Sequence, residues 1–140
     1  MAPLLLLQLF LLAPHLRLAS AAMSKVSVDG AGLDVVNGLY SIGPDSIPDG
    51  FAKTCVEMGW NSQEMWDKLY DTGTPWFKHD DNDSYIYRNK LDGRWWIDEP
   101  SGAGVFIIPS SSKVPPEKGW QALNQEYEPT PRVTLRDVAL

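Results

Sequence analysis

Thiol is almost absent from this chain: Cys55 is its single cysteine, which excludes an intrachain disulfide framework, a four-cysteine zinc site and a Cys-x-x-Cys redox pair. Histidine is nearly as scarce. His15 and His79 are the two in the sequence, too few for a His-rich metal centre. No Gly-x-Ser-x-Gly elbow, phosphate loop or His-Glu-x-x-His pair occurs, so the sequence points to no metal, no cofactor and no conventional nucleophilic triad. Long apolar runs are also missing, since nothing approaches the roughly 18 consecutive residues of a membrane-spanning helix. The net charge of −6 and the pI near 4.7 leave no general basic field for phosphates, which argues against nucleic acid as a partner. Cys55 itself reads as a small buried apolar residue.

Glycine, proline and aromatic rings are what the sequence does have. The 11 Gly and 11 Pro in 140 residues favour turns and short strands, and the length suits one small domain. Six Trp and five Tyr supply much of the apolar area available for burial.

Residues 1–21 read as a signal peptide that is cleaved. They carry no acid, residues 4–12 are apolar apart from Gln8, and Ala19-Ser20-Ala21 offers small residues at an exit site. The mature protein is then expected to be soluble and secreted, or resident in the secretory-pathway lumen, with no membrane association after leader removal. Met23-Ser24-Lys25 also resembles a cytosolic start, and translation from Met23 gives a cytoplasmic protein instead.

The stretch that organises the rest is residues 84–108. Residues 84–90 and 94–98 read as a hairpin around Leu91-Asp92-Gly93, with a third strand at 105–108. A three-residue loop with Gly93 left-handed sets Lys90 opposite Arg94. Period-two alternation then sorts Tyr85, Tyr87, Trp95 and Ile97 onto one buried face, and Arg88, Lys90, Arg94 and Trp96 onto a wetter one.

Upstream, residues 25–28 alternate as a strand, and residues 33–36 and 39–42 flank Asn37-Gly38, a two-residue hairpin signal. Residues 43–50 read as a connecting loop by their Gly and Pro content. Residues 51–60 read as a strand, around 53–57, or alternatively as an irregular run into the helix that follows. Asn61 with Glu64 three residues on matches a helix cap, and Met65, Trp66, Leu69 and Tyr70 form one helical face before Gly73 and Pro75. Residues 26–123 are the expected single β domain. Residues 124–140 thin to an extended, partly disordered tail, with 132–135 either a last edge strand or disordered. The fold class is therefore mainly β, a small antiparallel β-meander or partly open barrel with one short helix.

Two motifs bear on function. His79-Asp80-Asp81-Asn82-Asp83-Ser84 gathers oxygen ligands but lacks the spacing of a helix-loop-helix calcium site, so it reads as a solvated turn. Asn82-Asp83-Ser84 is also an Asn-x-Ser acceptor, which makes Asn82 a glycosylation candidate. Asp98 and Glu99 are adjacent in a strand, point to opposite faces and make a poor acid/base couple. The functional expectation rests on surplus rings. Trp96, flanked by Arg88 and Arg94, is the candidate ligand-binding patch of a non-enzymatic secreted binding or interaction module whose partner is a protein or glycan. The alternatives are a lid of Trp96 over the Arg88 stem that binds nothing, and a small carboxylate-dependent carbohydrate-active or other hydrolytic enzyme.

The succession Asn37-Gly38-Leu39-Tyr40, Tyr85-Ile86-Tyr87, Trp95-Trp96-Ile97 and Gly119-Trp120 resembles small aromatic β modules of uncharacterised algal and protist proteins. It spans most of residues 26–120 and implies a fold class, with no activity or site attached. The Trp76-Phe77 and Trp95-Trp96 pairs are also similar to the tryptophan-rich module that binds ADP-ribose units, but no Glu-rich helix follows the last strands, so that family is not adopted.

Overall fold

Frequent glycine and proline cut the chain into short segments, and eight of these pair into one antiparallel sheet. The structure, a computed structural model, describes residues 25–136; the expected leader and its expected exit site after Ala21 lie outside the described residues. The strands are β1 (Lys25–Asp29), β2 (Gly38–Ile42), β3 (Phe77–His79), β4 (Tyr85–Asn89), β5 (Arg94–Asp98), β6 (Gly104–Pro109), β7 (Gln121–Ala122) and β8 (Arg132–Arg136). Their order is β7-β6-β5-β4-β3-β2-β1-β8, a meander whose last strand returns to pair with the first. The sheet curls into a half-barrel. Two helices, α1 (Asp49–Met58) and α2 (Ser62–Leu69), lie between β2 and β3. The partly open antiparallel architecture is the one the sequence pattern indicates, with two helices in place of one.

In the central strands both faces of this sheet carry buried residues. Val26, Tyr40, Phe77, Ile86, Trp95, Ile97 and Phe106 fill the concave side with other large residues, and Trp95 is fully enclosed. Phe51, Cys55, Trp66, Trp76, Tyr85 and Tyr87 form a second cluster where the helices pack on the convex side. The half-barrel narrows its gap through residues 112–120. Val133 N–H donates to the Glu117 carbonyl at 2.7 Å, and the Trp120 indole donates to the Pro116 carbonyl at 2.9 Å. Residues expected as an extended tail supply a 3-10 turn at Gln125–Tyr127 and β8.

Three local expectations are corrected. In the central hairpin the loop has four residues, 90–93, and Asn89 rather than Lys90 faces Arg94. The cause is Asn89, whose Oδ1 accepts the N–H groups of Leu91 and Asp92 and closes the turn one residue early. Every pair shifts by one, so Tyr87 faces Trp96 and Arg88 faces Trp95. The proposed apolar face splits: Trp95 and Ile97 point into the barrel, and Tyr85 and Tyr87 point toward the helices.

The stretch 51–60 is not a strand: it is helical as far as Met58, in α1, which starts at Asp49 inside the expected connecting loop. Gly50, Phe51 and Cys55 share its buried side, and Gly59 ends it in the left-handed conformation, its N–H and that of Trp60 taking the Val56 and Cys55 carbonyls. Asn37-Gly38 is likewise no two-residue turn, because β2 pairs with β1 across the longer loop 30–37. Asn37 has an extended backbone, and its side chain accepts from Ala31 N–H and donates to the Ala31 carbonyl, which fastens that loop.

Candidate functional site

The three residues of the expected patch do not come together. Trp96 is half-buried on the convex face with Tyr87, its ring so close over Gly104 that a Cβ there would lie 2.6 Å from a ring carbon. Its indole N–H donates to Asp92 Oδ2 at 2.9 Å. Arg88 points to the other side of the sheet, where its Nη1 meets Asp71 Oδ2 at 2.9 Å and its Nε donates to the Ser110 carbonyl at 2.9 Å. The lid of Trp96 over Arg88 is therefore excluded by the register. Arg94 shares the Trp96 side of β5, and its backbone N–H is taken by Asp92 Oδ1 at 2.9 Å. The Asp92 carboxylate thus already holds the Trp96 indole N–H and places a negative charge beside that ring.

Asn82 is half-buried, and its amide is committed, with Nδ2 donating to the Val35 carbonyl at 2.9 Å and Oδ1 accepting from Ser84 N–H at 2.8 Å. The acidic turn around it is also internally engaged. Asp80 accepts from Ser41 at 2.6 Å and from Lys25 at 3.0 Å. His79 Nδ1 accepts Asp81 N–H, which leaves Nε2 to carry the proton and donate to the Asn37 carbonyl at 2.7 Å. Among the described residues no group of three or more His, Cys, Asp or Glu is placed to hold a metal ion.

A cleft that the sequence did not announce opens between the 42–47 loop and α2, with a volume of about 390 Å³. Its floor is built by aromatic packing. Trp66 stacks on Tyr70 with centroids 4.5 Å apart and an interplanar angle of 11°, and meets Trp76 edge-on at 6.1 Å. Asn61 caps α2 by accepting Glu64 N–H at 3.0 Å, which fixes the helix that carries Trp66. The loop is held down from the other side. Gly43 N–H donates to the Trp76 carbonyl at 2.8 Å, and the Trp76 indole donates to the Pro44 carbonyl at 3.2 Å. Gly43 is required there, because a Cβ would stand 2.1 Å from the Trp76 ring.

Polar groups edge this apolar floor. Asp45 and Ser46 are exposed on the loop, and Asp67 is exposed on α2, its carboxylate accepting from Gln63 at 2.8 Å. The Tyr70 hydroxyl donates to the Thr74 carbonyl. Burial raises its phenol above the ordinary tyrosine range, and the charges of Asp71 and Asp45 push it further in the same direction. Among the described residues, no Lys, Arg or His lines the cleft. The Lys90 ammonium approaches this wall but binds the Asp67 carbonyl, not its carboxylate.

A second perturbed group lies away from the cleft. Asp98 is buried opposite Tyr85 across β4 and β5, and neither Asp98 Oδ1 nor Tyr85 Oη has a hydrogen-bond partner. Burial pushes this carboxyl up to about 7, against the lowering pull of the nearby Tyr85 hydroxyl and with a further push from Glu99. At 4% exposure it has no open path to a substrate.

Set against protein-family models, curated proteins and solved structures, the chain matches none of them. The reading of function rests on the cleft. Its pieces come from stretches some thirty residues apart in sequence, and the paired signals were Gly43-Pro44 and Trp76, which are legible only once β2 and β3 are known to be neighbours.

Proposed function

We propose that the protein is a non-enzymatic binding module and that its ligand seat is the cleft between the 42–47 loop and α2. The observation that carries this is a preformed hollow of about 390 Å³ combining an aromatic floor with the exposed carboxylates of Asp45 and Asp67 at its edge. That volume falls in the range of small-molecule sites, and a few polar groups on an apolar ground are what orient a ligand. The Trp96 surface offers less, because Asp92 already takes the Trp96 indole N–H.

A carboxylate-dependent hydrolase is the second reading, since Asp45 and Asp67 come from the two walls of one cleft. Such chemistry needs one carboxyl kept protonated by an apolar surround, and both of these are exposed, which favours binding over catalysis. The leader-like residues 1–21 support export, and N-terminal sequencing from the native host tests it.

The binding reading is tested by titrating the isotope-labelled full chain with a panel of simple sugars, organic acids and alkylated amines, and following backbone and indole N–H signals. Shifts gathered on Ser46, Gln63, Thr72 and the Trp76 indole are expected for at least one class. Shifts centred on Trp96 and Arg94, or hydrolysis of a panel glycoside, would overturn it.

A further inference from the structure

We propose that the cleft selects a small organic cation bearing apolar groups, of the alkylated-ammonium class. This deepens the binding reading and rests on it. The selection follows from what the cleft offers and what it withholds. Asp45 and Asp67 are the charged groups that line it, and Tyr70 already registers the Asp45 charge. With no lysine, arginine or histidine in the lining among the described residues, an anion entering the cleft meets the like charges of Asp45 and Asp67.

Flat sugars are disfavoured for a separate reason. Stacking needs an open ring face, whereas Trp76 is covered by the Gly43 backbone and Trp66 by Tyr70, leaving these indoles 5% and 6% exposed. The apolar part of the remaining wall is mostly aliphatic, from Ile42, Pro44, Ile47 and Pro75, and this part suits methyl or methylene groups, with Ser46, Gln63 and Thr72 as polar edges beside it. A compact cation with an alkylated head satisfies both the carboxylates and these walls. The whole chain, at −6, adds a long-range attraction of the same sign.

The test uses choline and its uncharged isostere 3,3-dimethylbutan-1-ol, which differ in whether the head atom is N⁺ or carbon. Each is titrated into the full chain while the Trp76 indole and the Ser46 and Gln63 amides are followed. Choline is expected to shift these signals and to bind at least about tenfold more tightly than the isostere. In the double variant Asp45→Asn, Asp67→Asn, whose exposed side chains do not support the core, choline is expected to lose that advantage while the isostere is unchanged. Equal affinities for the two compounds, or a choline affinity untouched by the double variant, would overturn the cation proposal and leave the cleft as a site of another selectivity. A sugar or organic acid binding in the cleft where choline does not would do the same. Failure of every class to shift the cleft signals would remove the binding reading as well.

Discussion

Tyr87 and Trp96 stand opposite one another across β4 and β5, on the convex face of the sheet that the helices cover. That pairing makes Trp96 part of a packed surface, with Gly104 beneath the ring and Asp92 holding its N–H. Trp96→Ala is therefore expected to cost about 2 kcal/mol, less than the 3–5 kcal/mol of a fully enclosed Trp such as Trp95. Urea unfolding of both variants gives the comparison. A Trp96→Ala midpoint equal to that of the parent would mean that the ring carries no packing.

Asp98 predicts a specific pH dependence. Its native carboxyl is raised to about 7, above the ordinary 3.8, so the folded state holds a proton that the unfolded chain gives up over that interval. Its stabilising contribution is present in full below 3.8 and is lost as pH rises to 7, a change of about 4 kcal/mol. Asp98→Asn, which cannot ionise, should gain on the parent across this window when unfolding free energies are compared from pH 4 to 8. A difference that stays constant with pH would show that the native carboxylate is well satisfied.

Arg88 and Asp71 behave in the opposite sense. Burial alone would raise Asp71, but the Gly73 N–H, the Arg88 hydrogen bond and the charges of Lys113 and Arg88 outweigh it and hold the carboxyl below the usual range. The pair contributes above the ordinary carboxylate pKa and its contribution fades as pH falls through the depressed value. Arg88→Ala should cost about 2 kcal/mol at pH 7, since it strands the Ser110 carbonyl along with Asp71. The loss should shrink at low pH, as urea unfolding at pH 7 and pH 3 would reveal.

Cys55 lies between α1 and the convex face at 2% exposure, and burial raises its thiol above the free value. Ellman's reagent should leave it unmodified in the native protein and react at once in denaturant. Prompt native reaction would mean that α1 detaches readily from Tyr85 and Tyr87.

Much of the fold was legible in local chemistry. Asn61 and Glu64 marked the start of α2, and the alternation in β4 and β5 located both strands to within a residue. Register was not legible, because period-two alternation fixes it only where one face of the hairpin meets water. Here the barrel interior takes Trp95 and Ile97 while the helices take Tyr85 and Tyr87, so a single apolar face is no guide. α1 was hidden by the exposed Val56 and Met58, which blur its helical period. The cleft was hidden because the approach of Gly43 to Trp76 depends on the β2 and β3 pairing of Ile42 with Phe77. Trp66 and Tyr70 are legible as a helical stripe, but what they face is a tertiary fact.

The central claim, that the cleft and not the Trp96 surface receives the ligand, is tested most directly by comparing two variants in calorimetric titration with the tightest compound of the panel. Ser46→Arg puts a long cationic side chain at the cleft edge from an exposed position, and Arg94→Ala removes the remaining cation beside Trp96. The account predicts at least a tenfold loss of affinity, about 1.4 kcal/mol or more, for Ser46→Arg and no change for Arg94→Ala. Loss in Arg94→Ala with full binding in Ser46→Arg would contradict it.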